Sequence, residues 1–166
     1  MRMERNQPAL LLLFLAMLAI VAGHAVPASA LEDGIPLSKG QTIYVPAYSH
    51  IYIGDREQPF LLTVTLSLRN ADTKYKIVFT AVNYYDSEGR LIKKYLNQPL
   101  TLKPLESKRY VVPQQDKTGG SGANFIVEWQ AEQPVNAALV ESVMIGAASQ
   151  QGISFTSRGR AITTAN

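Results

Sequence analysis

Leu62-Thr63-Val64-Thr65-Leu66-Ser67-Leu68 decides the fold class. Apolar and hydroxyl residues alternate there without a miss, the period-two pattern of a half-buried strand. Leu62, Val64, Leu66 and Leu68 turn to a core, and Thr63, Thr65 and Ser67 to water. Arg69-Asn70-Ala71-Asp72 follows with turn chemistry. The pattern then predicts a second strand over Tyr75–Tyr85, β-branched and aromatic, apolar on both faces and therefore central in its sheet. Asp86-Ser87-Glu88-Gly89 reads as a tight turn with Gly89 at a position of positive φ, and Arg90–Leu96 as the returning partner.

The same reading continues toward the C-terminus. Pro99–Val112 predicts two short strands broken at Pro104, and Asn124–Ala131 a strand with Phe125, Val127, Trp129 and Ala131 on one face. Val135–Ile145 follows Gln133-Pro134 as another strand, and Gly152–Thr156 is a last short one. Thr118-Gly119-Gly120-Ser121-Gly122 is too glycine-rich to be anything but a loop. Short strands in such succession imply a sandwich or a barrel. The expectation is an all-β fold: an antiparallel, immunoglobulin-like β-sandwich of about seven to nine strands. It occupies residues 40–160, with a flexible lead-in at 31–39 and a flexible tail at 161–166.

The first thirty residues read as an address. Arg2 and Arg5 precede an apolar run from Ala9 to Ala22, and Ala28-Ser29-Ala30 offers small residues where a signal peptidase cuts. As a helix that run spans roughly 21 Å, short of a hydrocarbon core of about 30 Å. A secretory signal peptide over residues 1–30 is the expectation, with Gly23-His24-Ala25 as an alternative cleavage point and an uncleaved anchor as the weaker reading. With no cysteine there is no residue to acylate, so a lipoprotein anchor is excluded. The expected location is therefore the periplasm or the extracellular space, with no stable membrane span after cleavage.

Composition narrows the function classes. With 46% hydrophobic and 17% charged residues the chain is no disordered tract. No cysteine means no disulfide framework and no thiolate metal site. Lys plus Arg number 16 against 13 Asp plus Glu, an excess too mild for a dedicated nucleic-acid binder. Nothing in the sequence implies a cofactor.

One resemblance covers nearly the whole expected domain. Gly40-Gln41-Thr42-Ile43-Tyr44-Val45-Pro46-Ala47-Tyr48-Ser49-His50-Ile51-Tyr52, Tyr84-Tyr85-Asp86, the block from Gly119 to Trp129, and Gln151 to Gly159 carry it. In these the chain resembles an exported bacterial domain family of unknown function (domain of unknown function 3124). The resemblance implies a bacterial envelope or periplasmic protein and brings no activity, so no catalytic residue is carried over.

The residues themselves offer few chemical constellations. His50 is the one histidine beyond the signal segment, flanked by Tyr48, Ser49, Tyr52, Asp55 and Arg56. It could bind an anion or a metal, or act as a general base with nearby carboxylates; the competing reading is a histidine at a strand end. One imidazole is too few for an ordinary transition-metal site, and no metal is assigned. A hydrolase would need His50 with Ser121 or Ser154, and neither serine sits in a nucleophile elbow. The backbone of Gly119, Gly120, Ser121 and Gly122, with Asn124 beyond, could cradle an anion as a nest does; otherwise it is a strand connection. Glu128 and Glu141, on successive strands, could pair as carboxylates for glycoside chemistry; the competing reading is that Glu128, alternating against the Phe125/Val127/Trp129 face, points to water. Trp129 is expected to fill the core. Eight tyrosines, three of them at Tyr44, Tyr48 and Tyr52, suit an interface as well as strands. Lys103, Lys108, Arg109, Arg90, Lys93 and Lys94 fall on hairpin or edge elements, where they guard against aggregation or attract anionic lipid or glycan. Arg158 and Arg160 could bind an anion or sit in a solvated turn.

Two function classes stay open. The first is a non-catalytic module binding an envelope protein or glycan through Tyr48, His50, Tyr52 and Arg56 with the glycine loop. The second is a metal or small-ligand carrier, or a hydrolytic enzyme, using His50. If the stretch Tyr44–Tyr52 and the loop Gly119–Gly122 meet in space, they form the candidate site.

Overall fold

The structure, a computed structural model, describes residues 36–55, 57–148 and 151–165. The expected signal segment and Arg56 lie outside these residues. Twelve strands and no helix are found among those described: β1 (Ser38–Pro46), β2 (His50–Ile53), β3 (Gln58–Leu61), β4 (Thr63–Arg69), β5 (Ile77–Tyr85), β6 (Leu91–Lys94), β7 (Leu100–Leu102), β8 (Ser107–Val112), β9 (Asn124–Val135), β10 (Leu139–Ala148), β11 (Gln151–Arg158) and β12 (Arg160–Ala165). They form a six-stranded sheet in the order β12-β1-β9-β5-β6, with β7 also on β5, and a four-stranded sheet in the order β11-β10-β4-β8. β2 and β3 make a separate two-stranded ribbon. Every pairing is antiparallel.

The alternation in β4 does what period two demands. Leu62, Val64, Leu66 and Leu68 are fully buried, and Thr63, Thr65 and Ser67 lie on the other face. Their inward row shares one core with Ile43 and Val45 of β1, Phe79, Val82 and Tyr84 of β5, and Phe125, Val127 and Trp129 of β9. Two sheets closing over a common apolar layer is the sandwich. Each fully buried aliphatic or aromatic side chain contributes roughly 1.5–3 kcal/mol relative to exposure. Trp129 is part of that core, and its indole Nε1 has no hydrogen-bond partner among the described residues.

The Asp86–Gly89 turn closes as expected: the Asp86 N–H donates to the Arg90 carbonyl at 3.0 Å, and Gly89 has φ of 79°. β5 is central, flanked by β9 on one side and by β6 and β7 on the other.

Four features exceed the sequence reading. β1 runs between β9 and β12 at the heart of the larger sheet. The ribbon β2–β3 stands apart from both sheets, which no sequence pattern predicts. The sequence predicts a flexible tail over residues 161–166, yet Arg160–Ala165 forms the edge strand β12, paired from Gly40↔Ala165 to Tyr44↔Arg160. Likewise Ser38 and Lys39, read as lead-in, already belong to β1. The strand count is accordingly above nine.

The chain changes sheet between β11 and β12, at Gly159. Its N–H donates to the Val140 carbonyl at 2.8 Å, and a Cβ there would lie 2.6 Å from Ile43 Cγ2 and 2.8 Å from the Val140 oxygen. Only a residue without a side chain lets the corner close this tightly. Ser142, buried on β10, donates from its hydroxyl to the Pro46 carbonyl and ties the smaller sheet to the end of β1.

Candidate functional site

Tyr44, Tyr48 and Tyr52 part company. Tyr44 lies on the outer face of β1, between Arg160 and Ile126 in register. Tyr48, half-buried after β1 ends, sets its ring edge-on to Phe155 of β11 at 5.7 Å. Tyr52 stands on the ribbon. There the register pairs His50 with Leu61, Ile51 with Phe60 and Tyr52 with Pro59. Period two therefore puts His50, Tyr52, Pro59 and Leu61 on one face and Ile51 and Phe60 on the other. Phe60 is buried and packs where a Cβ on Gly146 would come within 2.5 Å of it, so the ribbon's second face leans on β10.

The first face is left to solvent. His50 and Tyr52 meet edge-to-face, ring centroids 5.2 Å apart, with 3.3 Å between His50 Nε2 and the Tyr52 hydroxyl. Tyr52 is 53% exposed. Ile53, on the ribbon's other face, is exposed as well. Among the described residues no group of three His, Cys, Asp or Glu side chains is placed to hold a metal ion.

The glycine loop and the aromatic stretch do meet, through their backbones. The Ala47 N–H donates to the Ala123 carbonyl at 2.9 Å, and the Ser49 N–H to the Gly120 carbonyl at 3.0 Å. The loop's own amides are partly committed: Gly120 N–H to the Lys117 carbonyl at 3.3 Å, and Gly122 N–H to Ser87 Oγ at 2.9 Å. These donors are what an anion nest would have offered. Ser87 also bonds the Gly119 carbonyl through both its N–H and its hydroxyl, each at 3.0 Å. Gly119 is pressed against Tyr84 and Ser49, where a Cβ would fall 1.9 Å from the tyrosine oxygen. Ser121 lies in the loop's turn, and Asn124 opens β9 between Pro46 and Tyr85. The loop thus acts as a clasp between the β1 end and the β5–β6 turn, its cross-strand hydrogen bonds reaching Ala47, Ser49 and Ser87. Sequence reading missed Ser49 and Ser87 as its anchors; their only signal was a serine beside aromatic residues and a serine inside a turn.

Around this clasp the tyrosines are shielded. Burial raises the pKa of Tyr84, Tyr95 and Tyr110, that of Tyr95 to about 12, with Tyr84 and Asp116 adding to the effect at Tyr95. Tyr95 packs between Tyr110 at 5.0 Å and Phe125 at 6.0 Å, and Lys93 Nζ lies 4.6 Å from its ring centre. In the neighbouring turn Arg90 donates to Asp86 at 2.7 Å and holds that carboxyl below its usual range.

Glu128 points to water, as its alternation against the Phe125/Val127/Trp129 face predicts, and does not pair with Glu141. Glu128 is on β9 in the six-stranded sheet and Glu141 on β10 in the four-stranded one, each on its sheet's outer face. The chain crosses from one sheet to the other between Val135 and Leu139, so neighbours in strand order stand on opposite sides of the sandwich.

A model of a protein family of unknown function, DUF3124, matches residues 40–162. The chain belongs to the DUF3124 family. The match spans the two sheets, the ribbon and the glycine clasp. No curated protein matches the chain. Among solved structures, one described as "Crystal Structure of Thermotoga maritima 1070" is similar at 9% identity and a TM-score of 0.43, covering 72% of this chain and 92% of that one. A likeness so distant carries no argument about fold or activity. No described helix is long and apolar enough to cross a membrane.

Proposed function

We propose that this DUF3124 protein is exported by its N-terminal segment and serves as a non-catalytic binding module of the bacterial envelope, with the outward face of the β2–β3 ribbon as its contact surface. The observation that carries the reading is the His50–Tyr52 pair, edge-to-face and open to solvent on a strand pair outside both sheets. An aromatic ring with a polar rim buries large area at little entropic cost, which is why tyrosine is enriched where proteins bind. Export is supported by the basic start, the apolar run and the Ala28-Ser29-Ala30 site.

The partner class is an envelope protein or glycan. The test is capture of envelope components by immobilised mature protein, wild type against Tyr52→Ala and His50→Ala. Loss of a central aromatic anchor weakens binding by about tenfold or more. Equal capture by both variants, with unchanged thermal unfolding, would sink the ribbon as the contact surface.

A further inference from the structure

The edge of a sheet presents a row of unpaired backbone N–H and C=O groups, and the group that satisfies such a row is another strand. Most edges of this chain are blunted against that. β6 has four residues and ends in Lys93 and Lys94, and β8 carries Lys108 and Arg109. β7 has three residues, and the ribbon strands have four each, with Pro59 in β3. β12 is interrupted by a bulge: Thr42 pairs with Thr163 and Ile43 with Ala161, which leaves Ile162 as the extra residue.

β11 is the exception. Its eight residues pair with β10 without a shift, from Glu141↔Arg158 to Ala148↔Gln151. It holds no proline, and no charge before its last residue, Arg158. Among the described residues no strand lies on its outer side. Gly152, Ser154 and Thr156 are exposed. Ile153 and Phe155, on the other face, lean on the margin of the core and stay half-buried, with Tyr48 edge-on to the Phe155 ring. A further strand on this edge completes the backbone hydrogen bonds and covers both apolar side chains.

We infer that the further strand is β11 of a second copy of this chain, paired antiparallel about a two-fold axis at Ser154, so that the two four-stranded sheets become one continuous sheet. The strand is complementary to itself in this arrangement. Ile153 of each copy stands opposite Phe155 of the other, an aromatic–β-branched pair made twice. Ser154 meets Ser154, and Gly152, with open space where a Cβ would be, meets Thr156. An axis one residue further, at Phe155, would set Ile153 against Ser157 and lose that match. Charge selects the direction. A parallel pairing would put the two Arg158 side chains beside each other, whereas the antiparallel one holds them about 27 Å apart at about 3.4 Å per residue. The uncharged middle of β11 offers nothing that favours a charged foreign segment, and two-fold pairing of like surfaces is the commonest way identical chains associate.

The test is sedimentation of the mature protein across a dilution series, with variants at Ser154. A concentration-dependent dimer is expected. Ser154→Lys sets two ammonium groups directly opposite each other and raises the dissociation constant about fivefold or more, as Ser154→Glu does with two carboxylates. An equimolar mixture of the two variants pairs at least as tightly as wild type. Because the chain has no cysteine of its own, a single introduced thiol reports the contact. Opposite residues of an antiparallel pair lie about 4.5–5.5 Å apart at Cα, within the span of about 4.4–6.8 Å that a disulfide bridges. Ser154→Cys is therefore expected to couple into a covalent dimer under mild oxidation, well ahead of Lys94→Cys on the β6 edge. A monomer at every concentration, a dimer that Ser154→Lys leaves intact, or equal coupling of the two thiols would each overturn the inference. Protection of the β11 amides from hydrogen exchange only on adding envelope extract would overturn it too, by giving the edge to a different chain. Thermal unfolding of each variant confirms that these exposed substitutions leave the fold intact.

Discussion

The Tyr84 hydroxyl lies 3.0 Å from Ser49 Oγ, both groups buried, and Gly119 is packed against the pair. This contact locks the end of β1 to β5 and seats the glycine loop. Ser49→Ala leaves the tyrosine oxygen buried without that partner and is expected to cost about 1–3 kcal/mol. Adding Tyr84→Phe to Ser49→Ala should recover part of the loss, since both polar partners are then gone. Gly119→Ala should destabilise by at least as much, because its Cβ has no room beside that oxygen. Urea unfolding of the four proteins checks the order.

Alkaline stability should report the shielded tyrosines. Burial raises Tyr84, Tyr95 and Tyr110 above the ordinary value of 10.0, so the folded chain holds these protons where the unfolded chain releases them. Their contribution is complete below pH 10.0, and for Tyr95 it is lost progressively as pH rises toward about 12. Tyr95→Phe should flatten that decline. An unchanged slope of unfolding free energy against pH in the variant would remove Tyr95 from the account.

Acid stability should report the opposite end of the sandwich. Asn70 donates from Nδ2 to the carbonyls of Tyr75, Leu102 and Lys103, and its Oδ1 accepts the Asp72 N–H. Asp72 accepts from the N–H groups of Asn136, Lys74 and Tyr75, and the Asn136 bond is the chief reason its carboxyl is held below the usual 3.8. That contribution is present above pH 3.8 and lost as pH falls through the lowered value. Asp72→Asn should remove this part of the acid transition, and Asn70→Ala should cost about 1–3 kcal/mol at neutral pH. Denaturant titrations along a pH series test both.

Processing gives a prediction independent of the fold. Protein recovered from the envelope should begin at Leu31, following cleavage behind Ala28-Ser29-Ala30. Intact mass decides it: a species retaining Met1 would contradict export with cleavage.

Much of the sandwich was legible because burial writes itself into alternation. Leu62 to Leu68 and Phe125 to Trp129 each have one face in the core, so period two appears directly. β1 was harder to see: inward Ile43 and Val45 enclose Tyr44, an aromatic residue on the outer face, which blurs the pattern. β12 has no buried residue at all, so it carries no alternation to read. The ribbon face of His50 and Tyr52 was reached from residue type alone, and its partner strand through Pro59 and Leu61 was invisible until register placed it.

The most direct test of the ribbon as contact surface is site-specific photo-crosslinking in intact bacteria. A photoreactive aromatic residue replaces Tyr52 in one strain and Lys74, in the β4–β5 turn at the far end of the sandwich, in another. The account predicts a defined envelope adduct from position 52 and none from position 74. No adduct from position 52, or the same adduct from both, would contradict it.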